Sequence, residues 1–398
     1  MHTVKKATRH HTKAHNQRLI LRTIYDRGQI SRADIARRTG LTRTTVSTTI
    51  SKLMKDGLVE EIGVGSSAGG KPPTLLHIVD NSRHLIGLDL ANRIFQGAIF
   101  DLRGNIIHRR SLSAENQTGE AAVKLVYDLI DELMALTSRP VLGIGIGTPG
   151  LMDVQQGIVR KAVNLGWYDL PLRACLQERY DLPVHIANDS QVAALAEYTF
   201  GASQGQQNLI VIKAGRGTSA GLIINRQLYQ GTTNGASEIG HVRVVDNGEP
   251  CPCGNTGCLE TVASSQALVR QAQRLALADP NSALHQFVAD PARITTDTVL
   301  EAFDTGDAAI VQLVTGVGRY LGVAVAHLIG VLNIQQIIIS GSLARFGDTL
   351  LVAIREAMQA YASALISADN RVEFSTLEQD IVICGTAALL LSQELAIV

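Results

Sequence analysis

Apolar positions along the first 80 residues recur at helical spacing and then switch to strand-like runs. Over 15–27, Leu19, Ile20, Ile24 and Tyr25 share one side and the pattern stops at Gly28, which predicts an amphipathic helix. Ser31 is placed to cap a second helix over 32–39, with Ala33, Ile35 and Ala36 apolar, and Gly40 closes it. A third helix is expected from Thr42 to about residue 55. It turns Val46, Ile50 and Leu53 inward and leaves Arg43, Thr44, Thr45, Ser47, Thr48 and Lys52 outward. Two short helices joined by a Gly-containing turn form a helix-turn-helix, whose second helix enters a major groove. Segments 58–64 and 74–79 read as two strands. The Gly-rich loop 65–73 between them carries Lys71, as expected of a wing that follows a phosphate backbone or enters the minor groove.

From residue 84 the pattern becomes strand (84–90), strand (96–102), turn (103–105), strand (106–109), a helical stretch (119–136), and a buried strand that empties into a Gly/Pro loop (141–150). Segments 208–213 and 220–225 repeat the early strand pair, and 336–340 repeats the buried strand before Gly341. Two similar halves with crossover helices predict an α/β protein with ligand loops at strand ends. The longest apolar run, 320–334, contains His327 and Asn333 and falls short of the roughly 18–20 residues of a membrane span, so it reads as a buried helix. With no basic-then-apolar signal segment at the start, a cytoplasmic protein without a membrane partner is expected.

Composition sharpens this division. The 398 residues, 45% hydrophobic and 18% charged, leave room for two to four domains at roughly 100–200 residues each. The zero net charge hides a head, 1–80, with 14 Lys/Arg against six Asp/Glu, so the rest carries a matching negative excess of eight. A basic head on an acidic body suits a polyanion partner, and the scarcity of aromatic side chains in the head disfavours single-stranded nucleic acid. The candidate contacts to double-stranded operator DNA are Arg32, Thr42, Arg43, Thr44, Thr45, Ser47, Lys52 and Lys71. Such heads bind two-fold sites, which implies a homodimer or higher homo-oligomer.

The most diagnostic stretch of the body is Glu238-Ile239-Gly240-His241-Val242, followed by Cys251-Pro252-Cys253-Gly254-Asn255-Thr256-Gly257-Cys258-Leu259-Glu260. On these residues, the chain from about 84 to its end resembles the ROK family, which comprises sugar kinases and sugar-responsive repressors. The basic head makes it similar to the repressor branch. The resemblance implies a two-lobed actin/hexokinase-like (ribonuclease H-like) body. The expected division is 1–80 winged helix-turn-helix, 81–200 first lobe, and 201–398 second lobe, whose last helix returns to the first.

His241, Cys251, Cys253 and Cys258 supply an imidazole and three thiolates, a full tetrahedral set for Zn2+. With four protein ligands no position remains for an activated water, so the ion is expected to be structural. Cys175 and Cys384 sit in apolar contexts and read as core residues.

A pyranose presents a ring of hydroxyls and needs converging carboxylates and amides. Asn164 lies beside the sole tryptophan, Trp167; Asn188 and Asp189 end an expected strand over 184–187; Glu238, His241 and Glu260 flank the cysteine loop. The resemblance implies that Asn164, Asn188, Asp189, Glu238, His241 and Glu260 contact the sugar. Taken singly, Asn188-Asp189 could cap a helix starting at Ser190, and Glu260 could be a surface acid.

A kinase of this family would use Asp189 as the base that takes the hydroxyl proton, and would hold ATP with two Gly-rich loops. Where those kinases carry Asp-x-Gly-Gly-Thr-Lys, this chain has Asp89-Leu90-Ala91-Asn92-Arg93. Where they carry Gly-Thr-Gly-x-Gly, it has Gly215-Arg216-Gly217-Thr218-Ser219. ATP turnover is therefore not expected, and Asp189 reads as a relic base. Arg216 is alternatively placed for a phosphorylated sugar. The expected function is a sugar-responsive transcriptional regulator, a repressor released by a sugar or sugar phosphate. The rivals are an ATP-dependent sugar kinase with an accessory DNA-binding head, and a scaffold whose body binds a transport-system protein.

Overall fold

The computed structural model describes residues 9–65, 72–90, 93–236, 238–363 and 369–397. Lys71, Ala91 and Asn92 lie outside the described residues.

In the head, the first helix is Arg9–Arg27, starting six residues before the expected residue 15 because its opening turns are polar and invisible to hydrophobic periodicity. The second, Arg32–Thr39, is capped as its sequence demands. The Ser31 hydroxyl accepts from the Asp34 N–H and donates to the Asp34 carboxylate, and Gly40 ends the helix in the left-handed region. The third, Arg43–Lys55, starts from Thr42, whose hydroxyl accepts from the Thr45 N–H. Ile20, Ile24, Ile35, Val46, Ile50 and Leu53 are fully buried and form the three-helix core, closed by Leu76 and Ile78. Strands Val59–Val64 and Thr74–Ile78 pair antiparallel, and Ile30–Ser31 adds a third strand. This is a winged helix-turn-helix.

By contacts the chain groups into two compact units, 1–146 with 172–186 and 386–398, and 147–171 with 187–385. In the first unit the head adjoins a five-stranded sheet of Ile106–Ser113, Ile94–Phe100, His84–Asp89, Val141–Thr148 and Val184–Asn188, in that spatial order, with helix Glu120–Leu136 packed on it. The turn between Ile94–Phe100 and Ile106–Ser113 grips the head. The Arg103 guanidinium lies 4.4 Å over the Tyr25 ring and donates to the Tyr25 carbonyl and to Asp80, at 2.8 Å each. Arg83 adds a bond to the Asp56 carbonyl.

The second unit holds a five-stranded sheet of Gln227–Leu228, Thr218–Ile224, Leu209–Ala214, Gln336–Ser340 and Arg371–Phe374. Its order repeats that of the first: three consecutive strands in reverse, then the fourth and fifth. The apolar run 320–334 lies largely within helix Ala308–Leu332. This helix is long and apolar enough to cross a membrane by length and composition, and it buries Val317, Leu321, Val325 and Ile329 in this unit's core. A small antiparallel sheet, Leu151–Asp153, Ile158–Ala162 and Trp167–Leu170, belongs to the same unit. So does helix Asp189–Phe200, contrary to the expected division at residue 200. Its first turn presses on Thr218–Ile224 at Gly221, where a Cβ would stand 2.1 Å from the Ser190 carbonyl oxygen. That close approach seats Asp189 against the second sheet.

Candidate functional site

All four expected metal ligands meet. His241 ends the 3-10 turn Ile239–His241, and the ligand atoms of His241, Cys251, Cys253 and Cys258 lie within 4.8 Å of one another. Cys251 Sγ is 3.5 Å from His241 Nδ1, and Cys253 Sγ is 3.6 Å from Cys258 Sγ. Bonds of about 2.3 Å to sulfur and about 2.0–2.1 Å to nitrogen at the tetrahedral angle would space such pairs by about 3.5–3.8 Å. The four side chains can therefore hold a metal ion. Their loop is tied by Cys251 N–H to the Asn255 carbonyl and by Gly257 N–H to that of Glu249. Burial raises the pKa of Cys251. Burial, with the other two thiols, pushes Cys258 up to about 12, whereas backbone hydrogen bonding from Asn255 lowers Cys253. Three thiols so crowded are hard to ionise together unless a cation shares them.

The same turn faces a group of carboxylates. His241 Nε2, on the ring edge away from Cys251, is 3.8 Å from Glu238 Oε2. Burial raises the Glu238 pKa, and the charges of Asp189 and Glu260 raise it further against the opposing effect of His241, so these four groups share one electrostatic neighbourhood. Glu260 is not a loose surface acid, since its Oε2 accepts the Thr218 N–H at 3.0 Å. Asp189 is the first residue of its helix and buried.

Asn188 fulfils the capping alternative. Its Oδ1 accepts from the Ser190 N–H and hydroxyl, at 2.9 and 2.6 Å, and its Nδ2 donates to the Gly150 carbonyl at 3.0 Å. Asn164 is exposed on the 3-10 turn Val163–Leu165, and among the described residues no hydrogen bond joins it to the other five.

Two residues escaped the sequence reading. Lys213 places Nζ 2.8 Å from Asp189 Oδ2, and its only sequence signal was a lone charge near the end of the apolar strand Leu209–Ala214. Gln191, one helical position beyond Ser190, donates to the Asn234 carbonyl at 3.2 Å, while its Oε1 is buried and accepts no hydrogen bond among the described residues. Nothing in the sequence distinguished it.

On the head, Thr42, Arg43, Thr44, Ser47 and Lys52 are exposed along the third helix. The Thr42 and Thr45 hydroxyls bond each other at 2.9 Å, and Lys52 reaches Gln17 at 3.0 Å. Arg32 is held by Glu61 at 2.7 Å.

A DNA-reading head followed by two sheets of identical strand order defines the class of regulators built on a duplicated, hexokinase-like frame. The ROK family model matches residues 85–393, and a model described as winged helix-turn-helix DNA-binding matches 14–60; the chain belongs to the ROK family. It is 31% identical over 385 residues to the xylose repressor of Caldicellulosiruptor bescii, covering 96% of each chain. A glucokinase of Halalkalibacterium halodurans is 33% identical over 319 residues, which are 79% of this chain and 97% of the glucokinase. The crystal structure of a ROK family transcriptional regulator, a homologue of the Escherichia coli Mlc protein, superposes with a TM-score of 0.85 at 25% identity, covering 97% of this chain and 98% of the other.

Proposed function

We propose that this protein is a transcriptional repressor that leaves its operator when a sugar occupies the pocket of Asp189, Glu238 and Glu260. The observation that carries this reading is the joining, in one chain, of an exposed Arg/Thr/Ser helix face to a group of neighbouring carboxylates, the buried Asp189 with the more open Glu238 and Glu260. The end-to-end match to a xylose repressor supports it. Asn164, Asn188 and His241 complete the set of groups offered to sugar hydroxyls, and the unbonded Gln191 Oε1 adds an acceptor. The metal is a structural Zn2+, held by His241, Cys251, Cys253 and Cys258. When bound, it would tie the His241 ring to the cysteine loop, while the other edge of that ring lies beside Glu238.

Two observations speak against a kinase. Both glycines of the first loop are replaced in the stretch 89–93, and in 215–219, where Gly215 and Gly217 remain, Arg216 and Ser219 stand for a threonine and a glycine. The protein works in the cytoplasm as a homodimer or higher homo-oligomer on a two-fold operator, and the sugar weakens DNA binding because it binds the released state better. Such linkage is typically worth 1–3 kcal/mol.

The test is operator binding, at fixed salt, on duplexes selected by the protein from a random library, titrated with D-xylose, D-glucose and N-acetyl-D-glucosamine. One of them should lower affinity by roughly 5–150-fold. No response to any sugar defeats the reading, a response to a transport-system protein instead supports the scaffold, and ADP formation supports the kinase. On the same duplexes, Arg43→Ala should weaken binding at every sequence alike and reduce the salt slope by about 1, as loss of one phosphate contact requires. A sequence-selective loss would instead assign Arg43 to a base edge.

A further inference from the structure

Residues 79–83 lead from the wing into strand His84–Asp89, and each of them makes a hydrogen bond. The Val79 N–H donates to the Leu58 carbonyl at 3.0 Å, the Asp80 carbonyl accepts the Leu102 N–H at 2.9 Å, and the Ser82 N–H donates to the Val79 carbonyl at 2.9 Å. Asn81 Oδ1 lies 3.0 Å from Nε2 of the buried His84. Arg83 goes further and reaches the reading helix itself. Its Nη2 donates at 2.8 Å to the carbonyl of Asp56, the C-cap of Arg43–Lys55. Arg103 does the same for the first helix, donating from Nη1 at 2.8 Å to the Tyr25 carbonyl in the last turn of Arg9–Arg27. The last carbonyls of a helix have no partner within it and carry the negative end of its dipole, so a guanidinium there is held by charge as well as by hydrogen bonding. Arg103 also lies over the Tyr25 ring and donates from Nε to Asp80, a set of contacts that only a planar fork can make together.

A reader on a loose tether would keep its own orientation whatever the body did, and a ligand of the body would have no hold on how it meets DNA. Here both the first helix and the reading helix end on arginines of the body. A rearrangement of the strands that carry those arginines is therefore passed whole to the reading helix.

We propose that Arg83 and Arg103 are positioning residues of operator recognition, which make the head one piece with the first five-stranded sheet and carry the sugar response to the operator. The inference rests on the sugar-released repressor reading and names the contacts through which release acts.

Titrations of the full-length protein with its selected duplexes and with D-xylose, D-glucose and N-acetyl-D-glucosamine, at fixed salt, test it. In the double variant Arg83→Ala, Arg103→Ala, the sugar that releases the unaltered protein should bind as before, within about twofold by calorimetry, while the loss of operator affinity it causes falls from roughly 5–150-fold to about twofold or less. Two arginines that merely stabilise the fold would lower the unfolding midpoint and leave that response at full size, and such a result overturns the inference while the repressor reading stands. If no sugar releases the unaltered protein, both fail together. A second measurement needs no variant to fold. Inserting five base pairs between the halves of the operator turns one half about half a helical turn round the duplex, where a fixed head cannot follow, so the unaltered protein should bind at least about tenfold more weakly. A smaller loss would mean freely tethered heads and overturns the inference as well.

Discussion

Replacing Cys258 by serine is expected to lower the thermal unfolding midpoint of the full chain by about 10 °C or more and to abolish sugar binding. Cys258 is fully buried and holds two things at once. Its thiol belongs to the four-ligand cluster, and its backbone bridges Arg243 across the loop. A structural ion bound only by the folded chain contributes its binding energy to folding, so losing a ligand removes several kcal/mol. For a cooperative unit of about 200 residues each kcal/mol moves the midpoint by roughly 2–4 °C. Scanning calorimetry with metal analysis checks this, one zinc per chain being expected in the unaltered protein and none in the variant. Cys175→Ser, outside the cluster, is the control. A Cys258→Ser protein that still binds sugar normally would uncouple the metal from the pocket.

Gly240→Ala is expected to produce a repressor that binds DNA but no longer responds, with sugar affinity down by 100-fold or more. Gly240 stands between Glu238 and His241, and a Cβ there would lie 1.9 Å from the Thr218 carbonyl oxygen. That neighbour is backbone in a sheet strand, so the turn must lift rather than the strand yield. Lifting it carries Glu238 away from Asp189 and Glu260 and drags His241 from the thiols. The head's core of Ile20, Ile35 and Ile50 is untouched, so operator affinity without sugar should stay within about threefold, a change of under 1 kcal/mol. Parallel operator and sugar titrations separate the two effects. Normal sugar affinity in this variant would mean that Glu238 and His241 do not reach the ligand.

Local chemistry made the head readable in advance. Ser31, Gly40 and Thr42 each do at close range what their residue types favour, and the apolar stripe names the core before any tertiary contact is considered. The four side chains that can hold a metal ion were equally plain, because three thiols within eight residues have few other uses. What stayed hidden was long-range. The pairing of Lys213 with Asp189 joins a strand to a helix start 24 residues away, and no periodicity reports which buried lysine meets which acid. Helix Asp189–Phe200 reads naturally as the end of the first lobe, yet Gly221 draws it onto the second sheet, a packing fact written in a residue that looks like any other strand glycine. Asn188 showed the reverse. Its helix-capping role was legible, and the structure gives it that role in addition to its place beside Asp189.

The grip of Arg103 on Tyr25 and Asp80 bears on how such regulators can be rewired. Because the hairpin turn at 101–105 reaches back to the end of the first helix, the junction between head and body is more than the covalent link near residue 80. A chimera that grafts a foreign reader onto this frame by cutting there would strand one half of a fitted joint. The transplant would have to carry its own matching turn, so the smallest exchangeable cassette is discontinuous in sequence.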